Sequence, residues 1–458
     1  MTPDFSKLLE KYNVPAPRYT SYPTVPYWET TPSEEEWVCH LTGALDENAS
    51  QGIGAALYLH IPFCERLCSF CGCNTRITKN HMISEPYIAG ILKEWQLYKS
   101  RVSPNKSLLT SEIHMGGGTP TFLSPRELGD LLGPLLKDIT VTEHHEFSIE
   151  ADPRVTTKDH FAALQGLGFR RVSLGVQDFS KQVQQAINRV QSFAQVRQCT
   201  EWARASGFTS VNFDLIYGLP FQSVASIRDT FAKVTDLRPD RIAFYAYAHV
   251  PWIKPTQRKF TEKDLPDAAI KRELYEVGRQ LLEEYGYKEI GMDHFALTSD
   301  SLWQASQDQT LHRNFMGYLP RHVSPLIGLG VSAISDSWSA FIQNEKILEK
   351  YLQQVAKGSL PILRGHVLTK EDQIIRKHIL NLMTRFETTW NNDDDESLKP
   401  LDLQDKLQVF VDDELIELEG SGLRINDSGR AFIRNISMAF DARLARALPQ
   451  NNLFSKSI

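Results

Sequence analysis

Four of the six cysteines of this chain fall within ten residues, in the stretch HIPFCERLCSFCGCN that runs from His60 to Asn74. They are Cys64, Cys68, Cys71 and Cys73, spaced by three residues, then two, then one. Three chemistries use thiols this close. Structural zinc takes two ligand pairs, usually separated by about 12–20 residues. No second pair exists here, because Cys39 and Cys199 are solitary, although His60 could add a nitrogen. A redox disulfide could join Cys68 and Cys71 as a C-x-x-C, but it leaves Cys64 and Cys73 without a role. An iron–sulfur cluster takes thiolates from closely spaced cysteines. Cys64, Cys68 and Cys71 on a four-iron cluster would leave one iron open to a small molecule.

Such a loop has to be held by something regular. From residue 55 onward, apolar strand-like runs alternate with amphipathic helical ones. The expected strands are AALYLHI (55–61), SEIHMGG (111–117), HEFSIEA (145–151), RRVSLGV (170–176), TSVNFDLIYG (209–218) and RIAFYAYAH (241–249). Expected helices lie at 86–101, 125–137, 158–166, 193–206 and 224–236. Strands that alternate with helices predict parallel βα units, and their number suits a partial barrel. The cysteine loop then follows the first strand. Polar groups recur at the ends of the others, where barrels build active sites. These are Gly116, Gly117, Gly118 and Thr119 after the second strand, Glu150 on the third, Gln177 and Asp178 on the fourth, and Asp214 on the fifth. Arg189, in INRVQ, could pair with a carboxylate or simply sit solvated on a helix.

The rest of the chain sets limits. Residues 1–50 read as irregular, with PAPRYTSYPTVPYW too rich in proline for a long helix. After about residue 365 the pattern predicts a small, mainly α domain of winged-helix type. DDDE and FVDDELIELE make that region acidic, so packing or a lid role is expected of it before DNA. The 458 residues are 41% hydrophobic and 23% charged, with net charge −6, which suits a folded protein and argues against a nucleic-acid partner. No leader pattern and no apolar run of about 18 residues is visible, so no membrane insertion is expected and the cytoplasm is the expected location.

The C-x-x-x-C-x-x-C loop after the first strand of a βα barrel resembles the radical S-adenosylmethionine (SAM) superfamily. Within it, the chain is similar almost end to end to the oxygen-independent coproporphyrinogen III oxidases. The likeness is carried by PRYTSYPT (17–24), YLHIPFCERLCSFCGCN (58–74), GGGTPT (116–121), SIEADPR (148–154), SLGVQDF (173–179), DLIYGLP (214–220), IGMDHFA (290–296), LHRNFMGY (311–318), LIGLGVSAIS (326–335) and IRNISMAFD (433–441). It implies an α/β fold: a partial (β/α)6-type barrel over 51–365, an N-terminal covering segment over 1–50 and a mainly α C-terminal domain over 366–458. It implies a 4Fe–4S cluster on Cys64, Cys68 and Cys71, with Cys73 beside it, and two SAM molecules. Tyr58, Gly117 and Glu150 would touch one SAM. Phe70, Gly118, Thr119, Gln177, Arg189, Asp214 and Ala248 would touch the other, with Ile334 near both.

The implied reaction decarboxylates two propionates of coproporphyrinogen III to vinyls without oxygen. It needs a reductant for the cluster and an electron acceptor, neither of which the sequence identifies, and a monomer is expected. Four propionates call for cations: Arg18 first, then Arg313, Lys254, Arg258 and Lys259. Met316 stands where relatives carry Gln, Met115 where they carry Trp, and AYAHVP replaces NYAHLP. Two other tetrapyrrole-handling members of the superfamily remain as alternatives, a haem chaperone and a haem-opening methyltransferase. The chaperone typically has Phe at the position of Cys73 and lacks PRYTSYPT.

Overall fold

The computed structural model describes residues 5–104, 106–391, 397–447 and 453–457. The acidic run 393–396 lies outside the described residues. Six strands run parallel and adjacent in one sheet: β1 (Ala55–Ile61), β2 (Leu108–Gly117), β3 (Ile139–Ala151), β4 (Arg171–Gln177), β5 (Ser210–Tyr217) and β6 (Arg241–Ala246). Every expected strand is present, with ends within a few residues of the predicted ones except for β3, which starts earlier, at Ile139. β1 is nearly apolar throughout and buried on both faces, as a central parallel strand must be.

The helices between them are α1 (Ser84–Val102), α2 (Pro125–Lys137), α3 (Lys158–Gly166), α4 (Phe193–Ala205) and α5 (Val224–Leu237). Ser124 with Glu127 and Ser192 with Gln195 form capping boxes that fix where α2 and α4 start. Outward side chains of the strands and inward side chains of the helices make one core, including Trp95, Phe161, Phe213 and Phe231.

Twelve strands in all belong to this sheet, and both flanks escaped the sequence reading. Leu326–Leu329 lies parallel to β1 on its free side, followed by antiparallel Ile334–Asp336, Ala340–Asn344 and Ile362–Val367. At the other edge His294–Leu297 pairs antiparallel with β6 and then with Tyr287–Gly291. These strands are three to six residues long, too short for a period to show, so periodicity could not reveal them.

The first fifty residues are less irregular than expected. Helix Glu34–Ser50 starts from a capping box at Ser33 and Glu36, and puts Trp37 and Leu41 into the barrel core. The preceding stretch goes elsewhere. Leu8, Tyr12, Tyr19 and Tyr22 enter a second core built with Ile375, Leu407, Phe432 and Phe440. That C-terminal region carries helices Lys370–Arg385 and Leu403–Asp412 and a three-stranded antiparallel sheet. In that sheet Glu387–Thr389 pairs with Gly422–Ile425, which forms a hairpin with Ile416–Glu419, the strand arrangement of a winged helix.

One buried acid ties the flank to the barrel. Glu94 of α1 accepts hydrogen bonds from the Gly330 N–H at 2.8 Å, Asn344 Nδ2 at 2.6 Å and the Tyr351 hydroxyl at 2.6 Å. Burial raises its carboxyl to about 7, against the pull of these donors toward the charged form. Glu94→Ala orphans three donors, so a loss of at least about 2 kcal/mol is expected by denaturant unfolding. A raised carboxyl favours the folded state most below its unfolded value, and that contribution fades as pH rises through about 7. The gap between the unaltered protein and Glu94→Ala should therefore narrow between about pH 5 and about pH 8.

Candidate active site

Along the inner side of β2–β6, and reaching the cysteine loop at their C-terminal ends, lies a cavity of about 370 Å³. Cys64, Cys68, Cys71 and Cys73 all line it. Cys64 Sγ lies 3.4 Å from Thr119 Oγ1, and Cys71 Sγ accepts the Cys73 backbone N–H at 3.4 Å. Cys68 Sγ receives two guanidiniums, Arg154 Nη2 and Arg189 Nη1, each at 3.7 Å. Burial pushes the Cys64 thiol up to about 11. The Cys73 thiol and N–H, helped by Lys254 and Arg189, draw Cys71 down to about 6.

The two guanidiniums meet on Asp152, which accepts from Arg154 Nη2 at 2.6 Å and from Arg189 Nη1 at 3.1 Å. Arg189 also donates to the Gly175 carbonyl at 2.6 Å, on β4. It is buried and paired, not solvated on a helix. Against the cost of burial, these two cations hold the Asp152 carboxyl down to about 2. Asp152 and Arg154 sit in the quoted SIEADPR stretch but were not singled out. An Asp two residues before an Arg, just past a strand end, was the available signal.

The glycines set the close approach. Gly118 N–H donates to the Ile61 carbonyl at 2.8 Å and Thr119 N–H to the Phe63 carbonyl at 2.9 Å, so the end of β2 runs alongside the start of the cysteine loop. Gly117 has φ +117°, and a Cβ there would lie 2.7 Å from the His60 ring. A Cβ on Gly116 would come within 2.9 Å of the Glu150 carboxylate. Glu150 caps no helix: its Oε2 accepts the Gly117 N–H at 3.1 Å, and Oε1 lies 3.5 Å from His114 Nε2.

Gln177 lines the cavity in the left-handed region, at φ 67°. Asp214 lines it too, held by Ser173 Oγ at 2.8 Å and Asn212 Nδ2 at 2.9 Å, and burial lifts its carboxyl to about 7. Asp178, though adjacent to Gln177, turns away to Gln222 Nε2 at 2.7 Å and supports the fold.

Other expected residues are placed differently. Phe70 and Met316 line the cavity, whereas Tyr58, Ala248 and Ile334 do not. Tyr58 stands behind, with its hydroxyl 3.1 Å from His60 Nδ1 and its ring stacked on His114. Ala248 and Phe70 are joined through Gln257, which donates to both carbonyls. Lys254 Nζ donates to the Cys73 carbonyl at 3.3 Å. Arg258 donates to the Pro251 carbonyl, and Lys259 is exposed. Arg313 grips the N-terminal strap, donating to the carbonyls of Arg18 at 2.7 Å and Tyr19 at 3.3 Å. Arg18 lines a second cavity and donates to the Ala246 carbonyl at 2.7 Å. Met115, at the position of the relatives' Trp, is fully buried in the barrel core.

This donor set fits a 4Fe–4S cluster. Three thiols of one loop face a common space, and cationic donors on Cys68 offset the negative charge that sulfur ligands bring. Glycine backbone and polar strand ends beside it fit an amino-acid ligand with a ribose.

The glycine argument is checkable without any ligand. Gly117→Ala forces a side chain into a backbone region that disfavours it and onto His60, and a loss of about 1–3 kcal/mol in unfolding free energy is expected. Gly43→Ala, in helix Glu34–Ser50 with open space at its Cβ, should instead stabilise by up to about 1 kcal/mol.

Residues 58–234 match the Radical SAM superfamily. Over its whole length the chain is 39% identical to the oxygen-independent coproporphyrinogen III oxidase of Synechocystis sp., spanning 99% of that protein. It is 38% identical, over 97% of its length and 96% of the relative's, to the protein of the same description from Pseudomonas aeruginosa. The structure of coproporphyrinogen III oxidase from Escherichia coli, described as a radical SAM enzyme, matches with a TM-score of 0.87 at 35% identity, covering 96% of this chain and 100% of that one. The likeness thus extends through the N-terminal strap and the C-terminal region, well beyond the cysteine loop. The chain belongs to the oxygen-independent coproporphyrinogen III oxidases of the Radical SAM superfamily.

Proposed function

We propose that this enzyme oxidatively decarboxylates two propionates of coproporphyrinogen III, giving the two vinyl groups of protoporphyrinogen IX without oxygen. The observation that carries this reading over a haem chaperone or a haem-opening methyltransferase is the likeness along the entire chain. When bound, the cluster and SAM supply a 5′-deoxyadenosyl radical, which takes one hydrogen atom from the β-carbon of a propionate. The propionate then loses carbon dioxide and one electron to an acceptor, leaving a carbon–carbon double bond.

The chain's own residues bind, orient and exclude water. Cys64, Cys68 and Cys71 ligate the cluster, while Cys73 supplies its N–H to Cys71 Sγ. Glu150 is anchored through one oxygen to Gly117 N–H and offers the other to a ribose diol. Tyr58 backs this acid from the His60 side. Around a second SAM stand Phe70, Gly118, Thr119, Gln177, Arg189, Asp214 and Ala248, with Ile334 on the flank. Residues 51–365 act as the catalytic barrel, 1–50 as the covering segment, and 366–458 as the domain against which the strap is held. Arg18 meets substrate carboxylate. Arg313 acts by fixing the strap, Lys254 stands at the cysteine loop through the Cys73 carbonyl, and Arg258 and Lys259 are further cations for substrate carboxylates. The protein works as a cytoplasmic monomer with an external reductant and acceptor; among the described residues no helix is long and apolar enough to cross a membrane.

An anaerobic assay with SAM, a strong reductant and coproporphyrinogen III, read by fluorescence of the oxidised product, tests the reaction. Failure to form any divinyl product would overturn it. Cysteine-to-serine variants test the ligand set by iron content after anaerobic reconstitution. Cys64→Ser, Cys68→Ser and Cys71→Ser should lose the cluster, and Cys73→Ser should keep it; the reverse for Cys68 and Cys73 would sink the assignment. Arg154→Gln removes one cation from Cys68 Sγ, and hydrogen bonds to cluster sulfurs raise the potential. The cluster's midpoint should fall by at least about 59 mV, a tenfold change for one electron, in an anaerobic redox titration.

A further inference from the structure

A second cavity, about 730 Å³, lies on the other side of β6 between helix Ala268–Glu284, the N-terminal strap and the C-terminal domain. Its charges are arranged unusually. Arg272, Arg279 and Arg430 are each paired with an acid on its wall. Asp293 is not. It is 5% exposed, lines the cavity, and among the described residues its carboxylate has no hydrogen-bond or ion-pair partner. A buried carboxylate left this way is costly unless something satisfies it.

The cations around it are also held apart from it. Arg18 donates to the Ala246 carbonyl, and Arg434 to the carbonyls of Ala16 and Pro17 and of residues 455–457. Lys271 donates to the Tyr247 carbonyl. Burial first, then neighbouring cations, lowers Lys271 to about 8 and Arg434 to about 9. Burial likewise raises Asp293, while Arg18, Arg313, Arg434 and Lys271 pull it down. The site therefore presents one central acceptor with cations set around it, none touching it. Tyr217, Tyr275 and Met292 complete an apolar floor.

A porphyrinogen has the complementary chemistry. Its four pyrrole N–H groups are donors at the centre of the ring, and its carboxylates lie at the periphery. The volume is within the range of pockets for ligands of this size, about 300–1,000 Å³. The first cavity, at about 370 Å³, is lined by the groups expected to hold the cluster and SAM, so the macrocycle needs space of its own.

The two cavities share a wall. Tyr245 lines the first and Ala246 the second, because successive strand residues face opposite sides, and the turn residue Asp293 lines the second while His294, which starts the next strand, lines the first. β6 ends at Ala246, where Arg18 docks on the wall between the two cavities.

We propose that this second cavity is the macrocycle site: Asp293 accepts the pyrrole N–H groups of the porphyrinogen, and Arg18 receives a propionate that remains outside the first cavity. This rests on the decarboxylase reading above.

The test is equilibrium binding of coproporphyrinogen III to the cluster-loaded protein without SAM, under anaerobic ultrafiltration, with citrate as a polycarboxylate lacking N–H donors. Asp293→Asn and Arg18→Ala should each weaken coproporphyrinogen at least tenfold, with cluster iron and SAM affinity unchanged. Citrate should not displace it. If Asp293→Asn binds coproporphyrinogen as the unaltered protein does, or if citrate competes and binds that variant more tightly, the cavity is a plain anion site and the proposal is wrong. Should Asp293→Asn lose its cluster, Arg18→Ala decides by the same tenfold criterion. An unaltered protein that turns over while both variants bind normally sinks only this inference. One that neither binds nor turns over coproporphyrinogen sinks the function itself.

Discussion

Asp152 is the charge on which the reactive end of the barrel depends. It draws Arg154 and Arg189 to one point, and both then face Cys68 Sγ. The three elements involved come from different parts of the chain: the end of β3, the segment after β4 and the cysteine loop. Arg189 extends the set to the Gly175 carbonyl, so the strand, the loop and the sulfur share one electrostatic node. A buried carboxylate paired this way stays ionised, and taking away one partner of a buried pair costs about 3–5 kcal/mol. Two guanidiniums beside a sulfur ligand also favour the more negative, reduced state of a cluster. The same node therefore serves folding and redox poise.

A second constraint is space. The start of the cysteine loop runs beside the end of β2, and a Cβ at Gly116, Gly117 or Gly118 would collide with its neighbours there. Gly116 leaves room for Glu150, Gly117 for His60, and Gly118 for the Pro62 backbone. Through Gly117 N–H the acid is held where it faces the cavity. Cysteines, glycines and acid are therefore one assembly, although they arise from three strands.

The strap and the C-terminal region form a third. Tyr12, Tyr19 and Tyr22 belong to the C-terminal core, while Arg18 and Arg313 tie the strap to the barrel. Tyr19 takes φ 47°, and its hydroxyl donates to Asp441 at 3.0 Å. The stretch Leu8–Tyr22 is thus held by the C-terminal core and by the barrel together. The apolar faces of the C-terminal region take in Leu8, Tyr12, Tyr19 and Tyr22 of the chain's own N-terminal part.

The sequence alone was enough for the six parallel strands, because each is a run of apolar residues followed by an amphipathic helix. It placed the cysteine loop, Gly117, Gly118, Glu150, Gln177 and Asp214 at or near strand ends, and these groups line one cavity; Arg189 it left open between an ion pair and solvent, and only the fold brings it to Asp152. It did not reveal the flanking strands, three to six residues long and too short to show a period, nor helix Glu34–Ser50, masked by the proline-rich stretch before it. Asp152 with Arg154, and Asp293 with its ring of cations, were decided by tertiary structure. Their meaning depends on which charges from distant segments arrive nearby, and on whether those charges touch. Asp152 is paired at 2.6 Å, whereas Asp293 has no partner among the described residues. Nothing in the linear order of residues distinguishes those two acids; burial and the direction of each guanidinium do.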